Sequence, residues 1–237
     1  DLVAELTISP GIIQVDYTGS SGPSDFGINC PMCYTEAYTA FGVKCVVAPD
    51  IPNNAGTLDA IAVSAPDNTI VNAPHPCAVV ARSTIGHMLP DVVFGCLHQA
   101  LPDRVPAEGT SNLWNIKLGA GHGITERSEA ETTTFMLMSI HSGGAGARPS
   151  LDGLSATPYP SGVRNVPVEI SEAITPIVVW RKELRTDSGG AGAQRGGLGQ
   201  EVVLRNLAKD DALLSLSGGR FHIAAPGMDG GGQGTLG

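Results

Sequence analysis

The sequence has little positive charge. Its 14 lysines and arginines are outnumbered by 23 aspartates and glutamates, which leaves a formal net charge of −9, and only 16% of the 237 residues are charged. Such a chain has no broad basic surface with which to bind a polyanion, so we expect no nucleic-acid partner.

Long apolar runs are also lacking. No window reaches about 18 uninterrupted apolar residues, and the start, DLVAELTISPG, lacks the charged-then-apolar pattern of a signal peptide. We therefore expect a soluble, cytoplasmic protein without a membrane partner. The sequence begins at Asp1 without methionine, in what resembles the polar edge of a strand, so we expect a fragment or a processed piece.

Cysteines are few, and their number is odd. Five cysteines in a cytosolic chain too large to need disulfides predict free thiols. Cys30 and Cys33 have the spacing of a redox or zinc motif, and a thiolate at a helix start would have a lowered pKa. No second Cys or His pair stands at ligand spacing, which favours ordinary packing cysteines.

Apolar residues make up 42% of the chain, enough for a sizeable core. Helical spacing predicts two main helices, over 30–47 and over 83–101 with a kink at Pro90. Alternating or apolar runs predict strands over 12–18, two within 59–74, and others at 111–119, 132–142, 175–184, 200–208 and 212–218. We therefore predict an α+β fold: a single domain over 1–237, with β-rich mixed sheets, two main helices and long Gly/Pro-rich loops.

Two glycine-rich segments follow predicted strands, at 142–153 and 187–199, and each contains an arginine and an aspartate. Glycine permits positive φ and close approach of backbone amides to a ligand, so such loops can hold a carboxylate, phosphate or oxyanion. Neither segment matches a P-loop or a dinucleotide fingerprint. Tight packing turns and a binding site are equally supported by this pattern.

Histidines supply the remaining candidates. His87 and Asp91 stand four apart on a predicted helix, with His98 further along, and could share a metal, although a solvated edge of a buried helix is favoured. His141 ends an apolar strand beside the first glycine segment, a common position for a binding group, so we predict that it contacts substrate.

Six motifs in order along the chain resemble the hydantoinase B/5-oxoprolinase family, and the resemblance covers nearly the whole sequence from about Ile12. These motifs are FGINCPM, DIPNNAG, LPDVVFGCLHQALPDRVPAEG, GGAGARPSLDG, VRNVPVEISEA and LRTDSGGAGAQRGGLG. Members look like one half of ATP-dependent amidohydrolases, such as N-methylhydantoinase and 5-oxoprolinase, and of related ketone carboxylases.

The resemblance implies a component of an ATP-dependent hydrolase of cyclic amides: hydantoin, 5-oxoproline or another lactam. In that family an A-type partner subunit carries the nucleotide site, so ATP and Mg are expected on the partner and the assembly is expected to be a hetero-oligomer. A ketone carboxylase component and a non-catalytic scaffold fragment remain alternatives. A divalent metal is implied for a THxPD…HHxDxGG-type N-terminal half that this sequence lacks, so no metal is assigned here, and HMLPD at 87–91 is not carried over.

The matching positions imply loops that line or support a substrate cavity. We predict catalytic roles for Asp187, Arg195 and Glu169. Glu169 and Glu172 are three apart, so one could act as a base, or pair with Arg164 or Arg185; Asp187 and Arg195 could instead pin their own loop. Substrate contacts are predicted for Asp50, Asn53, Asn54, Gly143, Gly144, Asp152, Asn165, Ser188, Gly189 and Gly190, in addition to His141.

Overall fold

The computed structural model describes residues 1–120 and 134–237. The strands are β1 (Glu5–Ser9), β2 (Ile12–Asp16), β3 (Ile61–Ser64), β4 (Leu113–Ala120), β5 (Phe135–Ser142), β6 (Ile177–Leu184), β7 (Gln200–Asn206) and β8 (Leu213–Ser217). The helices are α1 (Met32–Val47), α2 (Ala55–Leu58), α3 (Ser83–Gly86), α4 (Leu89–His98) and α5 (Val168–Ile174), with a 3-10 turn at Pro102–Arg104.

The first half of the chain forms a three-stranded sheet in the order β1-β2-β3, antiparallel between β1 and β2 and parallel between β2 and β3. The alternation along β2 turns Val15 into the core, where it is 1% exposed. Helices α1 and α4 pack beside this sheet. Their buried side chains include Val43, Leu89, Val93 and Leu97.

Gly42 sets the distance between α1 and α4. A Cβ at this position would lie 2.9 Å from the Cα of Pro90 and 3.3 Å from the Cβ of Val93. The two helices can therefore approach closely only because residue 42 has no side chain. The glycine inside the predicted first helix is thus a packing position, and the helix continues through it to Val47.

Two sequence predictions for this half differ from the structure. The helix predicted over 83–101 is two helices, α3 and α4, and Pro90 lies in the first turn of α4, where its missing N–H needs no partner. Of the two strands predicted within 59–74 only β3 forms. The rest is a turn closed by Asn72, whose amide donates to Ala65 O (3.0 Å) and Asp67 Oδ1 (3.1 Å).

The second half contains a sheet in the order β5-β4-β8 and a β6–β7 hairpin. One face of the sheet carries Trp114 opposite His141, then Ile116 opposite Ser139 and Leu118 opposite Leu137. At its far end this face packs on β6 and β7 in a second core that contains Phe135, Leu137 and Ile177. The predicted strands are confirmed; the one predicted over 132–142 begins at two residues outside the described part of the chain.

These elements confirm the α+β class, with mixed sheets and α1 and α4 as the main helices. Tyr159 and Met228 from the second half pack against the first core. Among residues 1–120 and 134–237, no helix has both the length and the apolar character needed to cross a membrane.

Candidate functional site

A cavity of about 600 Å³ lies among the β5-β4-β8 sheet, the β6–β7 hairpin and three glycine-rich segments. This volume is typical of a small-molecule site. One wall is the largely apolar face of the sheet, formed by Trp114, Ile116, His141, Leu214 and Leu216. The other walls come from segment 143–149, segment 188–199 and the C-terminal segment 225–237.

In these segments backbone packs directly on backbone. A Cβ at Gly144 would lie 2.0 Å from the carbonyl oxygen of Gly197, and one at Gly190 would lie 2.2 Å from that of Gly232. Positive φ, the other property that favours glycine, is absent from the described glycines between Gly143 and Gly199 except Gly162. The positive φ in the second loop belongs to Asp187, at 56°. Glycines such as Gly144 and Gly190 are therefore required for close approach, whereas Gly230 in the C-terminal segment has a φ of 84° and open space around it.

Many backbone amides of the glycine segments are used to hold the segments together. Gly197 N donates to Ala145 O (2.8 Å), and Ala145 N donates to Leu154 O (2.9 Å). The C-terminal segment joins through Gly232 N, which donates to Ala191 O (2.6 Å). For the amides of Gly189 and Gly190, the described residues supply no acceptor. Both residues line the cavity, so these two amides are candidate donors to a ligand.

Six of the predicted site residues line the cavity, namely His141, Gly143, Gly144, Ser188, Gly189 and Gly190. Ser188 closes the base of its loop, because its hydroxyl accepts from Gly199 N (2.9 Å) and donates to Arg185 O (2.7 Å). Arg185 also lines the cavity, and its Nη1 donates to Leu236 O (2.8 Å). The two glycine segments predicted from the sequence thus meet at one cavity.

Asp187, Arg195 and Asp152 lie at the outside of these segments. Asp187 and Arg195 are exposed, and neither is part of the cavity lining. The Arg195 backbone N donates to Asp152 Oδ1 (2.8 Å), and Arg148 donates twice to Asp152 O (3.0 and 2.8 Å). This arrangement favours bracing of the two loops by Asp152, and the catalytic roles of Asp187 and Arg195 remain predictions.

The DIPNNAG loop lies away from the cavity. The buried Lys44 donates through Nζ to Asn53 Oδ1 (2.6 Å) and to Ile51 O (2.9 Å). Asn54 caps α2, since its Oδ1 accepts from Thr57 N (3.0 Å). Asp50 is exposed and outside the lining. Both asparagines therefore have structural partners, and substrate contacts by these three residues remain predictions.

Asn165 and Glu169 are also exposed and outside the cavity lining. Glu169 lies in the first turn of α5, on the helix that contains Glu172. Glu172 accepts from Val179 N (2.8 Å) and so closes the turn from α5 into β6. The structure does not bring Glu169 to the glycine segments, and its role as a base remains a prediction.

His141 is 7% exposed and carries an unpartnered ring nitrogen. A hydrogen bond of 2.8 Å joins its Nε2 to Ser139 Oγ, whereas its buried Nδ1 has no partner among the described residues. Burial lowers the pKa of His141, and the charge of Lys182 lowers it further. The neutral form of the imidazole is therefore favoured, and its Nδ1 is enclosed behind the largely apolar wall.

A buried charge cluster beside the cavity was missed in the sequence. Arg220 forms an ion pair with Glu108 and lies 3.9 Å from Asp91 Oδ2, and Ser111 Oγ donates to Asp91. Burial raises the pKa of Asp91 to about 7; Glu108 adds to this effect, while Ser111 and Arg220 oppose it. The available signals were an aspartate inside an apolar helix and an arginine directly after SLSGG, but nothing in the sequence pairs them.

The described residues support neither a metal site nor a reactive thiolate at the CPMC motif. Across 1–120 and 134–237, no group of three or more His, Cys, Asp and Glu side chains could hold a metal ion. Burial raises the pKa of Cys30 to about 12, so it is a thiol, and its Sγ donates to Arg82 O (3.3 Å). This favours the packing interpretation of the CPMC motif. These residues do not fit the divalent metal implied for the family.

Comparison with known proteins identifies the family. The family model for hydantoinase B/oxoprolinase matches residues 1–237. The chain belongs to this family. As a hydantoinase B chain, it is 34% identical over 235 residues to an uncharacterized protein of Methanocaldococcus jannaschii, covering 98% of this chain and 39% of that protein. It is 29% identical over 234 residues to the B-type subunit of a putative D-/L-hydantoinase from a Pseudomonas species, covering 95% of this chain and 38% of that protein.

Two solved structures share the fold of this hydantoinase B chain. Nucleotide-free acetone carboxylase matches with a TM-score of 0.81 and 22% identity over 99% of this chain and 31% of its own. The ATP-dependent caprolactamase of Pseudomonas jessenii matches with a TM-score of 0.75 and 26% identity over 92% of this chain and 37% of its own. The chain thus spans less than two fifths of the length of these relatives.

Proposed function

We propose that this chain is a component of an ATP-dependent amidohydrolase that cleaves a cyclic amide such as hydantoin, 5-oxoproline or another lactam. The supporting observation is the cavity of about 600 Å³, whose apolar wall faces glycine segments with free backbone donors. Most binding sites for small molecules combine apolar walls with a few placed polar groups. The relatives with hydantoinase and caprolactamase names supply the reaction class.

In this proposal the sheet face holds the ring of the substrate. Trp114, Ile116 and Leu216 offer apolar surface, and His141 lies in the same wall. In this proposal the amides of Gly189 and Gly190 donate to the oxygens of the phosphorylated carbonyl group. The glycine segments are fixed by their mutual hydrogen bonds, so these donors need no reorganisation during the reaction.

ATP supplies the activation of the amide: transfer of its phosphoryl group to the carbonyl oxygen makes the carbonyl carbon electrophilic, and water adds to that carbon. The ring C–N bond then breaks to give a free amine and an acyl phosphate, and a second water releases the phosphate. The described residues contain no P-loop for the nucleotide. ATP and Mg are therefore assigned to an A-type partner subunit in a cytoplasmic hetero-oligomer. The divalent metal is assigned to the longer relatives' other part, because the residues present here do not fit it.

The shared fold with acetone carboxylase makes a ketone carboxylase component the second candidate function. A ketone carboxylase would share the activation step and deliver the activated carbon to bicarbonate. A scaffold without catalytic function is the third possibility. The hydrolase is preferred because the match to acetone carboxylase, at 22% identity, shows the fold alone.

The test is to purify the full-length protein with its A-type partner and to measure ATP turnover. Hydantoin, 5-oxoproline and caprolactam should each be compared with acetone, with and without bicarbonate. We expect a cyclic amide to accelerate ATP turnover without bicarbonate. Acceleration that requires a ketone and bicarbonate would indicate a carboxylase, and no acceleration by any compound would indicate a scaffold.

Variants then test the exposed charged residues. If Asp187 and Arg195 act on the substrate, Arg195→Ala and Asp187→Asn lower turnover while Tm moves by only a few degrees. The matched control is Arg205→Ala, which changes an exposed arginine on β7 that packs over Trp180. Equal losses of folding and turnover would assign Asp187 and Arg195 to loop structure.

A further inference from the structure

Arg220 is a rigidly held, buried arginine in the cavity wall. Its side chain is only 7% exposed although it lines the cavity. Nε donates to Thr110 O (3.2 Å), and Nη2 donates to Gly109 O (3.0 Å) and to Glu108 Oε1. Three hydrogen bonds from two nitrogens fix the plane of the guanidinium, so its orientation does not depend on a ligand.

The third guanidinium nitrogen, Nη1, takes no part in these hydrogen bonds. A guanidinium has five N–H donors, and the three bonds above use those of Nε and Nη2. Nη1 has no acceptor within hydrogen-bonding distance in the part of the chain that the structure describes. Arg220 is itself among the residues that line the cavity. Two donors of a fixed guanidinium therefore remain for a ligand.

The charge of Arg220 is already balanced. Glu108 pairs with Nη2, and Asp91 Oδ2 lies 3.9 Å from the same nitrogen. With both carboxyls ionised the cluster has a formal charge of −1, and with Asp91 protonated it is neutral. In neither state does the cluster carry a net positive charge. A further carboxylate would meet repulsion from Glu108 in a buried setting, whereas a neutral carbonyl oxygen would gain hydrogen bonds without that cost.

The sheet places an apolar surface next to this donor. Trp114 lies opposite His141 in the β4–β5 pair, and its Nε1 donates to Gly219 O (3.3 Å), directly before Arg220. Because neighbouring strands are about 4.8 Å apart, the row from β5 across β4 to β8 spans roughly 10 Å, enough for one small ring. Phe221 packs on the Trp114 indole, with ring centroids 4.9 Å apart, and both Trp114 and Arg220 line the cavity, so a ring bound on the sheet face lies in the same cavity as the guanidinium.

We propose that Arg220 binds the carbonyl oxygen of a neutral cyclic amide through Nη1, and that Glu108 and Asp91 disfavour ligands with a carboxylate on the ring. This inference rests on the proposed function and narrows its substrate class to uncharged lactams and hydantoins. Arg220 is the binding residue, and Glu108 is a positioning residue that also sets the charge selectivity.

The test compares two ligands that differ only by a carboxylate, 2-pyrrolidinone and 5-oxoproline. Binding of each ligand to the full-length protein is measured by isothermal titration calorimetry. At pH 7.5 we expect 2-pyrrolidinone to bind at least about fivefold more tightly than 5-oxoproline. Arg220→Gln should weaken 2-pyrrolidinone binding about tenfold or more, the usual effect of losing a charged hydrogen bond.

Glu108→Gln is the decisive variant, because the glutamine can still accept from Nη2 while its charge is gone. We expect the preference for 2-pyrrolidinone over 5-oxoproline to fall at least about fivefold, with Tm changed by only a few degrees. This result stands even if Arg220→Gln fails to fold. The proposal is overturned if the wild type binds both ligands equally or neither, if a folded Arg220→Gln binds as the wild type does, or if Glu108→Gln leaves the preference unchanged.

The proposed function can fail separately. ATP turnover on cyclic amides that is indifferent to Arg220→Gln and Glu108→Gln would keep the hydrolase and remove Arg220 from substrate recognition. The expected binding selectivity without turnover on any cyclic amide would keep the binding site and remove the hydrolase.

Discussion

Two side chains at the start of α4 titrate in opposite directions because both are buried. Burial raises the pKa of Asp91 from 3.8 to about 7 and lowers the pKa of His87 from 6.5 to about 4. Burial favours the uncharged form of each group, which is the protonated carboxyl and the neutral imidazole. Near neutral pH, therefore, Asp91 is the residue of the two whose charge opposes folding.

The effect of Asp91 on stability has a definite sign. The folded protein binds the Asp91 proton more tightly than the unfolded chain does, so this contribution to stability is present near pH 4 and is lost as pH rises through 7. The free energy of unfolding of Asp91→Asn, taken relative to that of the wild type, should rise by on the order of a few kcal/mol from pH 4.5 to pH 7.5. Urea unfolding at the two pH values measures this difference, and the His87 contribution cancels because both proteins have it.

The control is Asp25→Asn, at an exposed position. Its stability relative to the wild type should stay within about 0.5 kcal/mol at both pH values. If the difference between Asp91→Asn and the wild type is the same at pH 4.5 and pH 7.5, the carboxyl is not perturbed by burial.

Individual site residues were predictable only where the signal was local. His141 and Ser188 could be placed at the cavity because each ends a strand or begins a loop beside a glycine run. Arg220 could not, because its partners Asp91 and Glu108 stand more than a hundred positions away in the sequence. Pairing across such separations depends on how the second sheet folds over α4, which hydrophobic periodicity along the sequence does not predict.

At the scale of elements, strands were predicted well because alternation is a direct consequence of one buried face. β5, β6, β7 and β8 lie within predicted runs, and β4 extends one residue beyond its predicted run, to Ala120. The break between α3 and α4 was not foreseen, since the apolar spacing continues through His87 and Met88 while the backbone does not. The DIPNNAG loop shows the same limit, because its asparagines are held by Lys44 and by the start of α2 instead of by a ligand.

Glycines of equal appearance in the sequence should respond differently to substitution. Gly144→Ala would place a Cβ 2.0 Å from a backbone oxygen that cannot move without its whole segment, so we expect a loss of at least about 2 kcal/mol. Gly95 in α4 has nothing within 4 Å of the added atom, so Gly95→Ala should gain about 0.5–1 kcal/mol from helix propensity. Thermal and urea unfolding of both variants give the comparison.

Ligand binding tests whether the glycine segments build the cavity. If they do, a Gly144→Ala variant that still folds binds the cyclic amide more weakly, whereas Gly95→Ala binds as the wild type does. Equal stability of the two variants would show that the segments in solution are not packed backbone to backbone.

At the scale of the whole molecule, two apolar cores are joined by side chains from the second half. The first core packs between the β1-β2-β3 sheet and α1 and α4, and the second between the β5-β4-β8 sheet and the β6–β7 hairpin. Tyr159, from the second half, packs on the first core, with its ring centroid 6.3 Å from that of Phe94 and 6.1 Å from that of Phe41. Most of the cavity lining comes from the second half, but residues within 102–110 also line it, and Asp91, which lies beside its arginine, comes from α4 of the first half. Correct docking of the halves is therefore a condition for the site.

Tyr159 offers a test of that docking, because its ring and its hydroxyl should have opposite effects. The ring packs on the first core, whereas the buried hydroxyl has no hydrogen-bond partner among the described residues. Tyr159→Phe removes a buried polar group without opening a cavity, so we expect unchanged stability or a gain of up to about 1 kcal/mol. Tyr159→Ala removes the ring and should cost about 3–5 kcal/mol. Unfolding should be followed by the fluorescence of Trp114 and Trp180, which both lie in the second half, and by far-UV circular dichroism, in which α1 and α4 dominate the helical signal. If the ring couples the halves, the two probes give one transition in Tyr159→Phe and separate transitions in Tyr159→Ala; coincident transitions in both variants would mean that other contacts hold the halves together.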